Sequence, residues 1–443
     1  METAGTSGMG RGRFFQAIGL REAGKAVREK AESLYRGGRE PGLVRIDKRQ
    51  DKRPQYSPPP VPFSTMLAAP VVLIACDKFK GTLTAAEACA AVAAGILEIW
   101  PRAECLLRPM ADGGEGTSLV ICEALAGEWR TAEVAGPRGE PVLAGYAWLP
   151  ETRTAVIEMS EASGLKLVLP SQRNPWRLNT AGTGQLMRHA IALGAERVVV
   201  GIGGSATNDG GSGMAWAMGY QFLNEAGEAI QPCPANLMDI IRILPPPELP
   251  VVEFVAACDV TNPLLGPEGA TAVYGPQKGV TLERLPQYEA ALEHFANLVH
   301  RELGVDRRLE PGAGAAGGLG FGLMSFCQAV TRPGFDLVAE VTGLEAAVRT
   351  ADLVITGEGC LDTQTLHGKG PARVAEMARR MGKPVAAVGG MVEVGAEAAL
   401  KTRFHAVIGT CTQETLAFAL AEPAKAVAAA VSSNRQLFEE IMS

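Results

Sequence analysis

The 443-residue chain carries 42 Lys and Arg against 48 Asp and Glu, a net charge of −6, which excludes the basic footprint of a nucleic-acid binder. Hydrophobic residues make up 47% of it, yet no apolar run approaches the roughly 20 residues that a membrane-spanning helix needs. Nine cysteines lie scattered with no Cys-x-x-Cys pair, which points to reduced thiols in a cytoplasmic protein and away from a disulfide framework or zinc site.

Residues 1–65 stand apart. Basic residues outnumber acidic ones there, apolar periodicity is poor, and the stretch ends in Ser57-Pro58-Pro59-Pro60-Val61-Pro62. It lacks the apolar centre of a secretory signal, so it reads as a disordered or dispensable extension. Gly19 to Ala26 matches a P-loop except at Ala26, where the magnesium-binding hydroxyl is missing. No strand precedes it, so the match reads as chance.

Val71 to Ala75 predicts a strand, followed by Asp77-Lys78-Phe79-Lys80-Gly81. Thr84 and Glu87 form a capping box for an Ala-rich helix that Pro101 ends. Asp77 and Lys80 therefore fall at the C-terminal end of a strand, where open α/β sheets place ligands. Asp112-Gly113-Gly114-Glu115-Gly116-Thr117 sets two carboxylates among glycines just before a helix. Short alternating strands follow from about 128 to 180, then a helix from Asn179-Thr180 to near Gly194.

The stretch from Val198 to Gly211 is the one the chain is organised around. A β-branched run opens into Gly201-Ile202-Gly203-Gly204-Ser205-Ala206-Thr207-Asn208-Asp209-Gly210-Gly211. Glycines let backbone N–H groups approach a phosphate, Ser205 and Thr207 add hydroxyls, and a helix follows. The plain alternative is a tight turn that needs glycine for its geometry.

A strand over 251–257 ends in Cys258-Asp259, and Lys278 sits in Gly275-Pro276-Gln277-Lys278-Gly279. Residues 282–304 predict an amphipathic helix with His294 and His300 on its wet face. Gly312 to Gly317 contains a literal G-x-G-x-x-G, but a dinucleotide site needs a strand before it and here there is a proline. A strand over 351–356 leads to Glu358 and Asp362, then His367-Gly368-Lys369-Gly370 and a helix begun by Pro371. Two further strands, 384–388 and 404–408, alternate with helices in a βαβ rhythm.

Acids flanked by glycine thus recur beside strand and helix ends, with lysines near them. Phosphoryl transfer uses this inventory: carboxylates for Mg²⁺, lysines and N–H groups for phosphate oxygens, and a base for the acceptor hydroxyl. The motifs around Asp77, Asp112, Gly203, Asp259, Lys278, Gly312 and Glu358, in order and spanning 71 to about 440, closely resemble the type-1 bacterial glycerate kinase family. That resemblance implies ATP-dependent phosphorylation of D-glycerate, at the 2-hydroxyl in most members. The 3-hydroxyl is the alternative product site, and a nicotinamide-dependent hydroxy-acid oxidoreductase is the rival class. It also implies an α/β fold of two domains: a Rossmann-like parallel-sheet domain from 66–127 and 305–443, and an inserted α/β domain over 128–304, with the active site in the cleft between.

On that basis Asp209 or Asp259 orients or deprotonates the hydroxyl, and Lys80 and Lys369 stabilise charge. Asp77, Asp112, Glu115, Gly203, Gly204, Ser205, Thr207, Asn208 and Lys278 bind substrate or phosphate. Glu358 and Asp362 hold Mg²⁺ or phosphate. Glycerate and ATP are the expected partners, with no nucleic acid and no membrane, and a homodimer is left open. Two positions depart from the family: Cys76 where Pro is common, and Cys360 where Arg is frequent, which removes a cation near Glu358 and Asp362.

Overall fold

Alternation within the strands explains how the chain layers itself. In β1 (Val71–Cys76), Val72, Ile74 and Cys76 enter one core while Leu73 and Ala75 enter another. Side chains alternate across a strand, so a strand apolar on both faces must be covered on both. The computed structural model describes residues 69–79, 81–111, 116–366, 370–412 and 415–442. The N-terminal extension, its P-loop-like stretch, Lys80, Asp112, Glu115, His367 and Lys369 lie outside the described residues.

The remaining strands in chain order are β2 (Glu104–Leu107), β3 (Glu128–Ala135), β4 (Pro141–Leu149), β5 (Thr154–Glu158), β6 (Arg197–Gly201), β7 (Gln221–Leu223) and β8 (Arg242–Leu244). They continue with β9 (Glu253–Ala257), β10 (Val330–Arg332), β11 (Leu353–Leu361), β12 (Val385–Val392) and β13 (Ala406–Gly409). One sheet has the order β13-β12-β11-β1-β2, with all neighbours parallel. It is built from both ends of the described chain. A second has the order β10-β9-β6-β5-β4-β3, parallel except for the antiparallel pairs of β4 with β5 and β3. Strands β7 and β8 pair by themselves.

In the first sheet the chain moves from β1 outward to β2, and later from β11 outward in the other direction. The switch point is the seam between β1 and β11, and ligands of open α/β sheets bind beyond the strand ends at such a seam. The helices Ala85–Ile99 and Pro423–Ser432 cover the outer face of this sheet. The capping box is present in full: Thr84 N–H donates to Glu87 Oε2 at 2.9 Å and Glu87 N–H to Thr84 Oγ1 at 3.2 Å.

Between the sheets lies a shared core. Leu73 and Val354 of the first sheet meet Val156, Val199 and Val255 of the second, with Val120 and Ile121 of the helix Thr117–Ala124 among them. Each such side chain contributes about 1.5–3 kcal/mol through burial, so this core ties the two sheets together.

The expected boundary at 304/305 needs correction. The helix Ala315–Phe326 gives Leu319 and Leu323 to the second sheet's outer core, and β10 pairs with β9. The chain returns to the first sheet only after Arg332. Three residues with an exposed Val330 form too short a strand for its pattern to register. Likewise His294, expected on the wet face of the helix Leu285–Leu303, is half-buried and its Nε2 pairs with the Ile240 carbonyl at 2.9 Å.

Candidate functional site

Beyond the C-terminal ends of β1, β11, β12 and β13 lies a cavity of about 810 Å³. Asp77 and Lys78 enter it from β1, and Glu358 and Asp362 from β11 and the turn after it. Asp77 N–H donates to the Gly357 carbonyl at 2.8 Å, so the two strand ends are locked side by side. Thr365 Oγ1 links the two acids, lying 2.8 Å from Glu358 Oε1 and 3.4 Å from Asp362 Oδ1. Asp362 Oδ1 also accepts the Thr365 N–H at 2.9 Å.

Gly204 brings the second sheet to this cavity and also borders a smaller one of about 240 Å³. Gly203, Ser205 and Asp259 line the latter. Gly204 has φ +72°, a left-handed conformation that suits glycine, and its carbonyl accepts the Leu165 N–H at 2.8 Å. Asp259, exposed at the end of β9, accepts the Gly334 N–H at 3.1 Å. It also borders a third cavity of about 920 Å³, whose Arg307 and Arg373 pair with Glu310 and Asp336.

The rest of the glycine-rich stretch goes inward. Thr207, Asn208 and Asp209 are wholly buried and line none of these cavities. Asp209 Oδ2 accepts from Thr180 N–H (2.9 Å), Thr180 Oγ1 (2.8 Å) and Gly213 N–H (3.1 Å), and Oδ1 from Gly211 N–H (3.2 Å). Burial pushes its carboxyl above the ordinary range, and these four donors pull it back down. Asp209 ties the loop to the start of the helix Ala181–Ala192 through Thr180.

Lys278, expected to bind substrate or phosphate, also points inward. Its Nζ is buried and donates to the Thr207 carbonyl at 2.8 Å, so it braces the loop from beneath and does not line the cavities above it. Burial lowers its ammonium to about 7, against the pull of Asp209. Asn208 Nδ2 donates to Thr271 Oγ1 at 2.9 Å.

The G-x-G-x-x-G stretch has a packing role. Ala316, Gly317 and Gly318 are all left-handed, with φ +56°, +68° and +88°. A Cβ on Gly317 would lie 2.1 Å from the Thr207 carbonyl oxygen, and the Gly317 carbonyl accepts the Gly210 N–H at 3.0 Å. Turns, not a strand, precede it.

Glu158 escaped the sequence reading. It ends β5, is buried, and accepts from Gly116 N–H (3.0 Å), Ser118 N–H (2.8 Å) and Ser118 Oγ (2.7 Å). It thereby caps the helix Thr117–Ala124, which follows the Asp112–Glu115 segment directly. Its signal was a lone acid closing an apolar strand. Thr180, which clamps Asp209 and also accepts the Met214 N–H at 2.8 Å, was missed as well.

The sequence model of the glycerate kinase family matches residues 72–439. This chain belongs to that family. The glycerate kinase of Halalkalibacterium halodurans is 47% identical over 330 residues, covering 74% of this chain and 87% of that protein. The glycerate 2-kinase of Escherichia coli is 41% identical over 324 residues, covering 72% and 84%. A crystal structure of a Salmonella typhimurium LT2 protein described as a glycerate kinase 2 superposes with a TM-score of 0.75 at 41% identity, covering 84% of this chain and 99% of that one. Membership makes the chain an ATP-dependent kinase.

Among the described residues no group of three or more His, Cys, Asp or Glu gathers as a metal cage. Mg²⁺ does not need one. It keeps several waters and is commonly held by one or two carboxylates plus the phosphates it serves, a demand that Glu358 and Asp362 meet in donor type. No helix is long and apolar enough to cross a membrane.

Proposed function

We propose that the protein transfers the γ-phosphoryl group of ATP to the 2-hydroxyl of D-glycerate. The observation that carries this is the meeting of Asp77, Glu358 and Asp362 with Gly204 of the glycine-rich loop around one cavity at the sheet's switch point. The name of the Escherichia coli relative, glycerate 2-kinase, supports the 2-position.

Asp259 is the residue we assign as base, since it is exposed and lines a cavity beside Gly203 and Ser205, whereas Asp209 is wholly buried. It takes the proton from the hydroxyl as that oxygen forms its bond to the γ-phosphorus and ADP departs with the bridging oxygen. Backbone N–H groups of Gly203 and Gly204 favour anionic oxygen nearby. Asp77 orients polar groups of the substrates within the larger cavity. Mg²⁺ held by Glu358 and Asp362 would offset phosphate charge. Lys80 and Lys369, with Asp112 and Glu115, complete the set as charge-stabilising and substrate-binding residues.

The test mixes the protein with D-glycerate, ATP and Mg²⁺, follows ADP release, and passes the product to enolase alone. Direct conversion by enolase is the expected result. A product that enolase accepts only after a mutase has acted means the 3-hydroxyl, and no ADP from folded protein sinks the assignment.

A further inference from the structure

The helix Leu416–Ala421 reads Leu-Ala-Phe-Ala-Leu-Ala and buries none of its side chains. Leu416, Phe418 and Leu420 are 38%, 51% and 60% exposed. Leu416 and Leu420, one helical turn apart, share a face, and exposed apolar side chains on one face mark a place that something covers.

Its position says what. Leu416, Ala419 and Leu420 line the 810 Å³ cavity, and so does Met391, itself 47% exposed. The strand register orders the cavity floor. Cys76 is abreast of Gly357, so Asp77 lies beside Glu358; Glu358 is abreast of Gly389, and Gly389 of Gly409. Acids therefore occupy the β1 and β11 end, while Met391 lines the cavity from β12, and Thr410 and Cys411 follow β13 and precede the helix that supplies Leu416, Ala419 and Leu420. Three strand spacings separate β1 from β13, about 14 Å, comparable to the reach of an extended nucleoside triphosphate from its ring to its last phosphate.

We propose that the apolar end, formed by the helix Leu416–Ala421 and Met391, is the subsite for the purine ring of ATP, with the phosphates running along the strand ends towards the carboxylates. This rests on the ATP-dependent reading above and adds where the nucleoside sits. The ring covers Leu416 and Leu420, which gives the exposed helix its partner.

Hydrogen–deuterium exchange of residues 415–421 in the full chain, with ADP or with inorganic tripolyphosphate, tests this alongside the kinetics of Leu416→Ser and Leu420→Ser. ADP should slow exchange there and tripolyphosphate should not. Each variant should raise KM for ATP about tenfold, the effect of losing one partly covered leucine, with kcat and KM for glycerate within about twofold. Leu143→Ser, at a 73% exposed site on β4, is the control for losing a surface leucine. Equal protection by tripolyphosphate overturns the proposal, as does an unchanged KM for ATP. So does protection that appears on raising protein concentration without nucleotide, which would mean that a second copy covers the helix. Failure of the kinase reading is separate: wild-type protein would then release no ADP with glycerate, whatever ADP does to the exchange of this segment.

Discussion

Replacing Asp209 by Asn separates a structural carboxylate from a catalytic one. Asp209 accepts four hydrogen bonds at 2.8–3.2 Å and is wholly buried. With the amide oxygen in the place of Oδ2, three of these persist, but as neutral bonds. The amide nitrogen then faces the Gly211 N–H, donor against donor. A bond to a charged acceptor contributes about 1.5–3 kcal/mol against about 0.5–1.5 for a neutral one, and an unsatisfied buried donor costs about 1–3. The amide avoids the desolvation that raises the carboxyl's pKa, which offsets part of the loss. The net expectation is a destabilisation of about 2–4 kcal/mol in urea unfolding, with kcat per folded molecule reduced by much less than a lost base requires. Asp259→Asn, at an exposed site, should leave unfolding within about 1 kcal/mol and lower kcat by about 10²–10⁴. If Asp209→Asn unfolds like the wild type yet loses kcat on the scale expected of Asp259→Asn, the buried-anchor reasoning is refuted.

Glu158→Gln places an amide against the N–H groups of Gly116 and Ser118, and should cost about 2–4 kcal/mol in unfolding and lower kcat/KM through the Asp112–Glu115 segment next in sequence. An unchanged unfolding midpoint would remove Glu158 from the positioning role. For Lys278, the unfolded chain holds its proton to about pH 10.5 while the folded chain releases it near 7, so the unfolded state binds more protons between those values. Wild-type stability should therefore rise with pH across that window by up to about 4–5 kcal/mol, and Lys278→Met should flatten the rise in urea titrations at successive pH values. Gly317→Ala drives a Cβ to 2.1 Å from the Thr207 oxygen at φ +68° and should cost well over the roughly 1–2 kcal/mol of Gly227→Ala, where φ is +77° and nothing lies within 4 Å. Equal melting losses for the two would show that the close packing of these loops is not required.

Much of this protein was legible without coordinates. The β-branched runs, the Thr84–Glu87 box and the proline stops placed the strands and helices of the α/β fold, because local pattern and cap chemistry act over a few residues. The motif order identified the family. The βαβ rhythm anticipated parallel strands, and the resemblance to the glycerate kinase family implied a parallel sheet built from both ends of the chain. The loops proposed to carry the chemistry stood out for the same reason: glycine beside Asp or Glu is an expensive local choice.

Only the tertiary structure decided which of those residues border a cavity and which are buried. Within one loop, Gly204 borders two cavities while Asp209, five residues on, is buried under four donors, and no spacing rule distinguishes them. Lys278 looks in sequence like a phosphate contact, and the fold buries it with its Nζ on the Thr207 carbonyl. Glu158 passed unnoticed because its partners lie 40 and 42 residues away. The G-x-G-x-x-G stretch found its use in packing against Thr207, a contact between distant segments. Sequence settles residue type and local geometry. Whether a polar group meets water, a ligand or another part of the chain depends on long-range packing, because that packing determines whether it is desolvated and which donors surround it.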